Sequence, residues 1–178
     1  MESSFYIQIE NSTAHRKSRD YICELALSNE ANLKALFAFA LNNTNKNHFK
    51  GCWVLELVLL QNITLITPYL NDFIIAAPTF KNDAAIRPIS KICMLIAQSK
   101  LIALTEKQEQ QLIETCLDWL IQNQKVATKA YAIRALYEFS QKHTWLNEEL
   151  KTILSQDYYL HSAAYKAVAR EILKKINK

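Results

Sequence analysis

Glu56 is the residue in this chain whose surroundings could most alter its chemistry. It interrupts the apolar run Trp53–Leu60, WVLELVLL. Burial disfavours a charged carboxylate and raises its proton affinity, which can poise it for acid or base work. The same side chain can instead bond to a neighbouring helix or reach water at a helix edge. Without a partnered His, Lys or second acid, the structural role is the favoured reading. Asp118 and Trp119 form a second pair of interest, a carboxylate beside an indole. On an amphipathic helix that order ordinarily sets a surface charge next to a core aromatic. His15, His48, His143 and His161 show no HExxH or related ligand spacing, and Cys23, Cys52, Cys93 and Cys116 form no CxxC pair or compact Cys/His cluster. Neither a metal nor a cofactor is therefore expected. With Gly51 the sole glycine, the chain has no GxGxxG, GxxxxGK(S/T) or GxSxG motif, and a phosphate-cradling loop is not expected. No catalytic residue is assigned.

The elements that carry these residues read as helices. Gly occurs once and Pro only at Pro68, Pro78 and Pro88 in 178 residues, too little punctuation for a fold rich in tight turns. Half the chain is apolar, and its length suits one domain, residues 1–178. Residues 1–11 are expected to form an irregular or extended arm, because Phe5, Ile7 and Ile9 alternate with Tyr6 and Gln8. Helical patterns follow over His15–Leu27, Leu33–Leu41 and His48–Gln61. Thr67 and Pro68 read as a helix start, and Pro78 as its stop. Asp83 reads as the cap of a helix towards Gln98, with Pro88 either in its first turn or bending it. Thr105 and Gln108 have capping-box spacing ahead of the stripe Leu112, Ile113, Cys116, Leu117 and Leu120. Helical segments from Lys125 to His143, around Leu150–Leu154, and from Ser162 to Lys175 complete eight or nine helices.

Four of these segments align on a basic residue: KGCWVLELVLL from Lys50, RPISKICMLIA from Arg87, KAYAIRALYEF from Lys129 and KAVAREILKKI from Lys166. The anchors are 37, 42 and 37 residues apart, the period of a helix pair. Three places on stand Trp53, Ser90, Ala132 and Ala169, mostly small residues that permit close helix approach. Seven places on stand Leu57, Met94, Leu136 and Leu173; ten places on stand Leu60, Ala97, Phe139 and Ile176. These are expected to fill the seam between stacked pairs. Trp53 departs from the small-residue pattern, which places it in a different packing layer or exposed in a groove.

The opening Asp83 and Arg87, KAYAIRAL from Lys129 and AAYKAVAREIL from Ala163 resemble the HEAT and armadillo-like alpha solenoids, over about residues 11–178. The resemblance implies an all-α fold, a short right-handed superhelix of stacked antiparallel helix pairs. It also implies a basic residue early in each second helix, which Lys50, Arg87, Lys129 and Lys166 match, and an acidic interrepeat partner. Asp72, Asp118 and Asp157 are candidates for that partner at irregular spacing. A weaker resemblance is to the HEAT-like bacterial glycosylases that remove alkylated bases from DNA. It would use Asp118, an indole from Trp53, Trp119 or Trp145, and Arg87 and Lys129 as phosphate-binding cations, but no family motif maps onto these positions one by one.

The net charge of +4 equals the surplus of Lys166, Arg170, Lys174, Lys175 and Lys178 over Glu171. Cations at a helix end complement its dipole, so nucleic acid is a secondary expectation. The main expectation is a non-enzymatic protein-binding scaffold, with Trp53, Arg87, Tyr131, Arg134, Tyr158 and Tyr165 as surface candidates. Four isolated thiols suit a reducing compartment. The opening Met-Glu-Ser-Ser lacks an export-signal pattern, and Trp53–Leu60 is too short to span a membrane. A cytoplasmic location is expected.

Overall fold

Short polar side chains open several of the helices. Asn29 Oδ1 accepts from the Asn32 amide at 2.8 Å, Asn82 Oδ1 from the Ala84 amide at 2.8 Å, and Ser162 Oγ from the Tyr165 amide at 3.3 Å. Thr105 and Gln108 form the expected reciprocal capping box. In each case a side-chain oxygen serves an amide that the first helical turn leaves open. The computed structural model describes residues 4–156 and 158–177. These form ten α-helices: α1 (Ser4–Asn11), α2 (Arg16–Leu27), α3 (Glu30–Leu41), α4 (His48–Gln61), α5 (Leu70–Ala76), α6 (Asp83–Gln98), α7 (Glu106–Ile121), α8 (Val126–Ser140), α9 (Trp145–Ser155) and α10 (Ala163–Ile176). Short 3-10 segments occupy Ile63–Tyr69, Ala77–Thr79 and Tyr158–Leu160. The fold is all-α and HEAT-like.

Three local expectations are corrected. Residues 4–11 are helical, not an irregular arm: Phe5 and Ile9, one helical turn apart, are buried while Ile7 is exposed. Met1–Ser3, which belong to the same expectation, lie outside the described residues. Thr67 and Pro68 do not start an α-helix but lie inside the 3-10 segment that precedes α5. Asn62 caps that segment instead, through Oδ1 to the Thr64 amide. Asn82, one residue before the expected Asp83, supplies the cap of α6. Pro88 stands beyond the first turn of α6, yet the helix continues through it to Gln98.

The residues divide into two compact units, with the boundary between Ile92 and Cys93 inside α6. In the first, α4 packs against α2 and α3, and α1 lies on α3. Gly51 lets α4 approach α3 closely, since a Cβ there would stand 2.8 Å from Phe39 Cδ1 and 3.0 Å from Ala40 Cα. In the second, α8 packs against α7, α9 and α10. Glu109, near the start of α7, contacts His143 just past the end of α8, so these two helices run antiparallel.

The repeat positions sort by burial. Ser90, Ala132 and Ala169 are completely buried, as close approach requires. Leu57, Leu136 and Phe139 are buried too, but Met94, Ala97, Leu173 and Ile176 are half-buried and Leu60 is exposed. The expected seam at the seventh and tenth places is thus filled only in part. Isoleucines off the aligned positions, including Ile89, Ile92, Ile96 and Ile172, supply core in their place.

Candidate partner-binding surface

The four basic anchors fall in the opening turns of α4, α6, α8 and α10. Three of them are tied to protein groups. Lys50 Nζ donates to the Glu10 carbonyl, Arg87 Nη2 to Glu56 Oε2 at 2.9 Å, and Lys166 Nζ to the Tyr159 carbonyl at 2.9 Å. Glu56 also receives Lys91 Nζ at 2.9 Å on its other oxygen. Its side chain is only 6% exposed, so both oxygens of a buried carboxylate are matched by cations. Glu56 is a structural clamp from α4 to α6 within the first unit. A comparable pair joins α8 to α10, Arg134 Nη2 to Glu171 Oε2 at 3.0 Å. The Glu171 carboxyl lies below its ordinary range because Lys175 and Arg134 hydrogen-bond to it. Glu109 receives Lys142 and His143 at 2.9 and 2.8 Å. Burial opposes its charge, but those two bonds outweigh it and hold its pKa low.

Among the described residues the acidic partners in these interhelical pairs are glutamates. Asp72 and Asp118 are exposed, and Asp157 lies outside the described residues. The family resemblance suggested aspartates at irregular spacing, and sequence carries no information on which long side chains reach across a helix pair.

The six sequence candidates separate by environment. Trp53 is half-buried, and its indole does not open into a groove: Nε1 donates to the Ala84 carbonyl at 2.9 Å and the ring stands edge-on to Phe49 at 5.1 Å. Arg87 is held by Glu56, and Arg134 by Glu171. Tyr131 is half-buried. Tyr158 is half-buried beside the exposed Tyr159, with ring centroids 5.9 Å apart. Tyr165 is no surface residue: it is 3% exposed and stacks on His161 at 3.9 Å. Asp118 and Trp119 face different environments, one exposed and the other in the core.

One surface feature has no counterpart among the sequence candidates. In the first unit, α3 and α5 flank an apolar groove of about 550 Å³. Phe37 and Tyr69 stack at 4.0 Å along it, with Ala38, Leu41, Ile75 and Ala76 as further walls. Lys34 and Asp72 bring opposite charges to its edges. Ile75 is 64% exposed. The sequence held one signal for it: Ile75 falls off the buried stripe of Leu70, Phe73, Ile74 and Ala77.

Among the described residues, no three or more His, Cys, Asp or Glu gather as a metal site, and no helix is long and apolar enough to cross a membrane. Stacked helix pairs clamped by interhelical ion pairs define a helical-repeat protein. The chain belongs to the HEAT repeat domain family, whose sequence pattern matches residues 9–176. No curated protein and no solved structure matches it.

Proposed function

We propose that this HEAT repeat domain is a non-enzymatic scaffold that binds another protein through the groove between α3 and α5. The groove carries the reading. An apolar floor bordered by polar and charged groups has the anatomy of a partner-binding patch, and its exposed Ile75 has no fold-stabilising role to explain it. Lys34 and Asp72 at the edges suit an apolar segment of the partner carrying one acidic and one basic residue. Of the sequence candidates, Tyr158 with its exposed neighbours Tyr159 and Leu160 is retained as a secondary contact. Trp53, Arg87 and Arg134 serve as framework. We read residues 1–178 as one repeat domain, supported by the single helix α6 that contributes to both units, and as cytoplasmic, supported by four buried free thiols.

The test compares the wild-type chain with Ile75→Asp in gentle crosslinking from native cell extract, followed by quantitative identification of bound proteins. Ile75 is exposed, so an unchanged thermal melt is expected for the variant. A reproducible partner recovered by wild type and depleted about ten-fold by the charge placed in an apolar contact supports the reading. Recovery of the same proteins in equal amount by both chains overturns it.

A further inference from the structure

Lys129 breaks the pattern of the anchors. The other three end on a carbonyl or a carboxylate, whereas the Lys129 ammonium has no hydrogen bond or ion pair to any described residue. It lines a cavity of about 500 Å³ in the second unit. Burial lowers the pKa of Lys129, the expected response of a cation that loses water without gaining a counter-charge from the described residues.

Two more polar groups line the same cavity. The His161 ring and the Tyr165 hydroxyl likewise make no hydrogen bond to a described residue, and their rings stack at 3.9 Å with an interplanar angle of 25°. Burial raises the Tyr165 pKa, so the phenol keeps its proton and remains a donor at neutral pH. The remaining walls are mixed and open on one side: Leu120 and Ile121 from the end of α7, Ile153 from α9, Leu160 and the polar Gln156, with Ile121 and Leu160 themselves exposed. The volume is within the range of small-ligand sites, where apolar walls bind a body and a few polar groups fix its orientation.

One ammonium beside the Tyr165 hydroxyl and the His161 ring, with leucine and isoleucine side chains on the same walls, suits one negative charge carried on an apolar body. A second negative charge would find no further Lys or Arg among the lining residues. A neutral ligand would leave the ammonium unmatched. We propose that this cavity binds a carboxylate carried on an apolar body, with Lys129 as its counter-ion and Tyr165 and His161 as further hydrogen-bonding partners. The carboxylate belongs either to a free aliphatic acid or to a peptide C-terminus ending in an apolar residue. This site does not depend on the groove in the first unit.

The full chain is titrated calorimetrically with octanoate, with octanol, and with acetyl-Gly-Leu as free acid and as amide. Lys129→Met, which keeps an unbranched apolar stem, and Lys129→Arg, which keeps the charge, are titrated alongside, with thermal melts confirming that each is folded. The expected result is one saturable site for a carboxylate probe, with octanol or the amide at least about ten-fold weaker, as one hydrogen-bonded charge predicts. Lys129→Met should weaken the carboxylate by a similar factor and Lys129→Arg should restore most of it. Binding of octanoate alone identifies a free acid as the source, binding of the peptide acid alone identifies a chain terminus, and both outcomes support the site. Saturation by neither carboxylate, equal binding of octanol and octanoate, or equal carboxylate binding by wild type and Lys129→Met overturns it.

Discussion

The indole Nε1 of Trp53 donates to the carbonyl oxygen of Ala84 at 2.9 Å, the acceptor that Pro88, four residues on, has no amide to serve. A proline inside a helix removes one hydrogen bond and leaves that carbonyl open. Here a side chain from α4 takes the amide's place, and α6 runs through the proline unbroken. Trp53→Phe should therefore cost about 1–2 kcal/mol in urea unfolding, the order of an unsatisfied half-buried acceptor plus lost packing. In a Pro88→Ala background the new amide can serve Ala84, and the same substitution should cost clearly less. Equal costs in the two backgrounds would show that the indole bond does not substitute for the proline.

Glu56 makes a second, sharper cycle. Arg87→Ala or Lys91→Ala alone leaves the buried carboxylate one cation, and each should cost about 1–2 kcal/mol. Together they leave it none, and the loss should exceed the sum of the singles, approaching about 3–5 kcal/mol. Adding Glu56→Gln to the double variant removes the stranded charge and should recover part of that stability. A triple variant weaker than the double would contradict the clamp.

His48 predicts how stability responds to acid. Its ring is buried against Phe80 at 5.1 Å, and neither ring nitrogen has a hydrogen-bond partner. Burial pushes its pKa below the ordinary 6.5. The unfolded chain thus takes up a proton first as pH falls. Stability from this residue is full above 6.5 and is lost progressively as pH falls from there towards the lower folded-state pKa. Glu109 and Glu171, whose pKa values are depressed from 4.5, add a further loss at more acidic pH. His48→Phe should flatten the first of these slopes and raise stability by roughly 1 kcal/mol by removing unsatisfied polar atoms. Chemical denaturation from pH 7.5 to 5 reads both effects; an unchanged slope would assign it elsewhere.

Gly51→Ala sets two effects against each other. Alanine improves helix propensity by about 1 kcal/mol, but its Cβ would meet Phe39 and the Ala40 backbone at 2.8 and 3.0 Å. Overpacking of a tight core typically costs about 1–3 kcal/mol. Because Ala40 Cα cannot swing aside as a flexible side-chain end can, net destabilisation is expected, read as a lower melting temperature. A more stable variant would mean that α3 and α4 separate at little cost.

The helices were largely legible because apolar spacing and caps are local properties of the chain. Ser90, Ala132 and Ala169 declared the close-packed positions by size alone. Residues 4–11 misled because Phe5, Ile7 and Ile9 satisfy an alternating template, and only the helices α3 and α4 beneath them decide which two are buried. The surface was less legible for a related reason. Tyr165 and Trp53 are amphipathic, and sequence cannot say whether such a ring shows its polar atom to water or to a carbonyl across a helix pair. Glu56 was recognised as unusual, but its partners stand 31 and 35 residues away, beyond any local pattern. The groove at Phe37 and Tyr69 arises from the meeting of α3 with α5, which no single segment encodes.

The four cysteines, one each in α2, α4, α6 and α7, are all free and buried. Burial first, with Asp20 and Glu24 adding to it, pushes the Cys23 thiol up to about 11, and burial raises Cys52 and Cys93 as well. A thiol held in that state reacts slowly until its helix opens and water reaches the sulfur. The chain therefore carries its own set of clocks: pulsed alkylation, read cysteine by cysteine, would time the opening of individual helices in each unit without any introduced label.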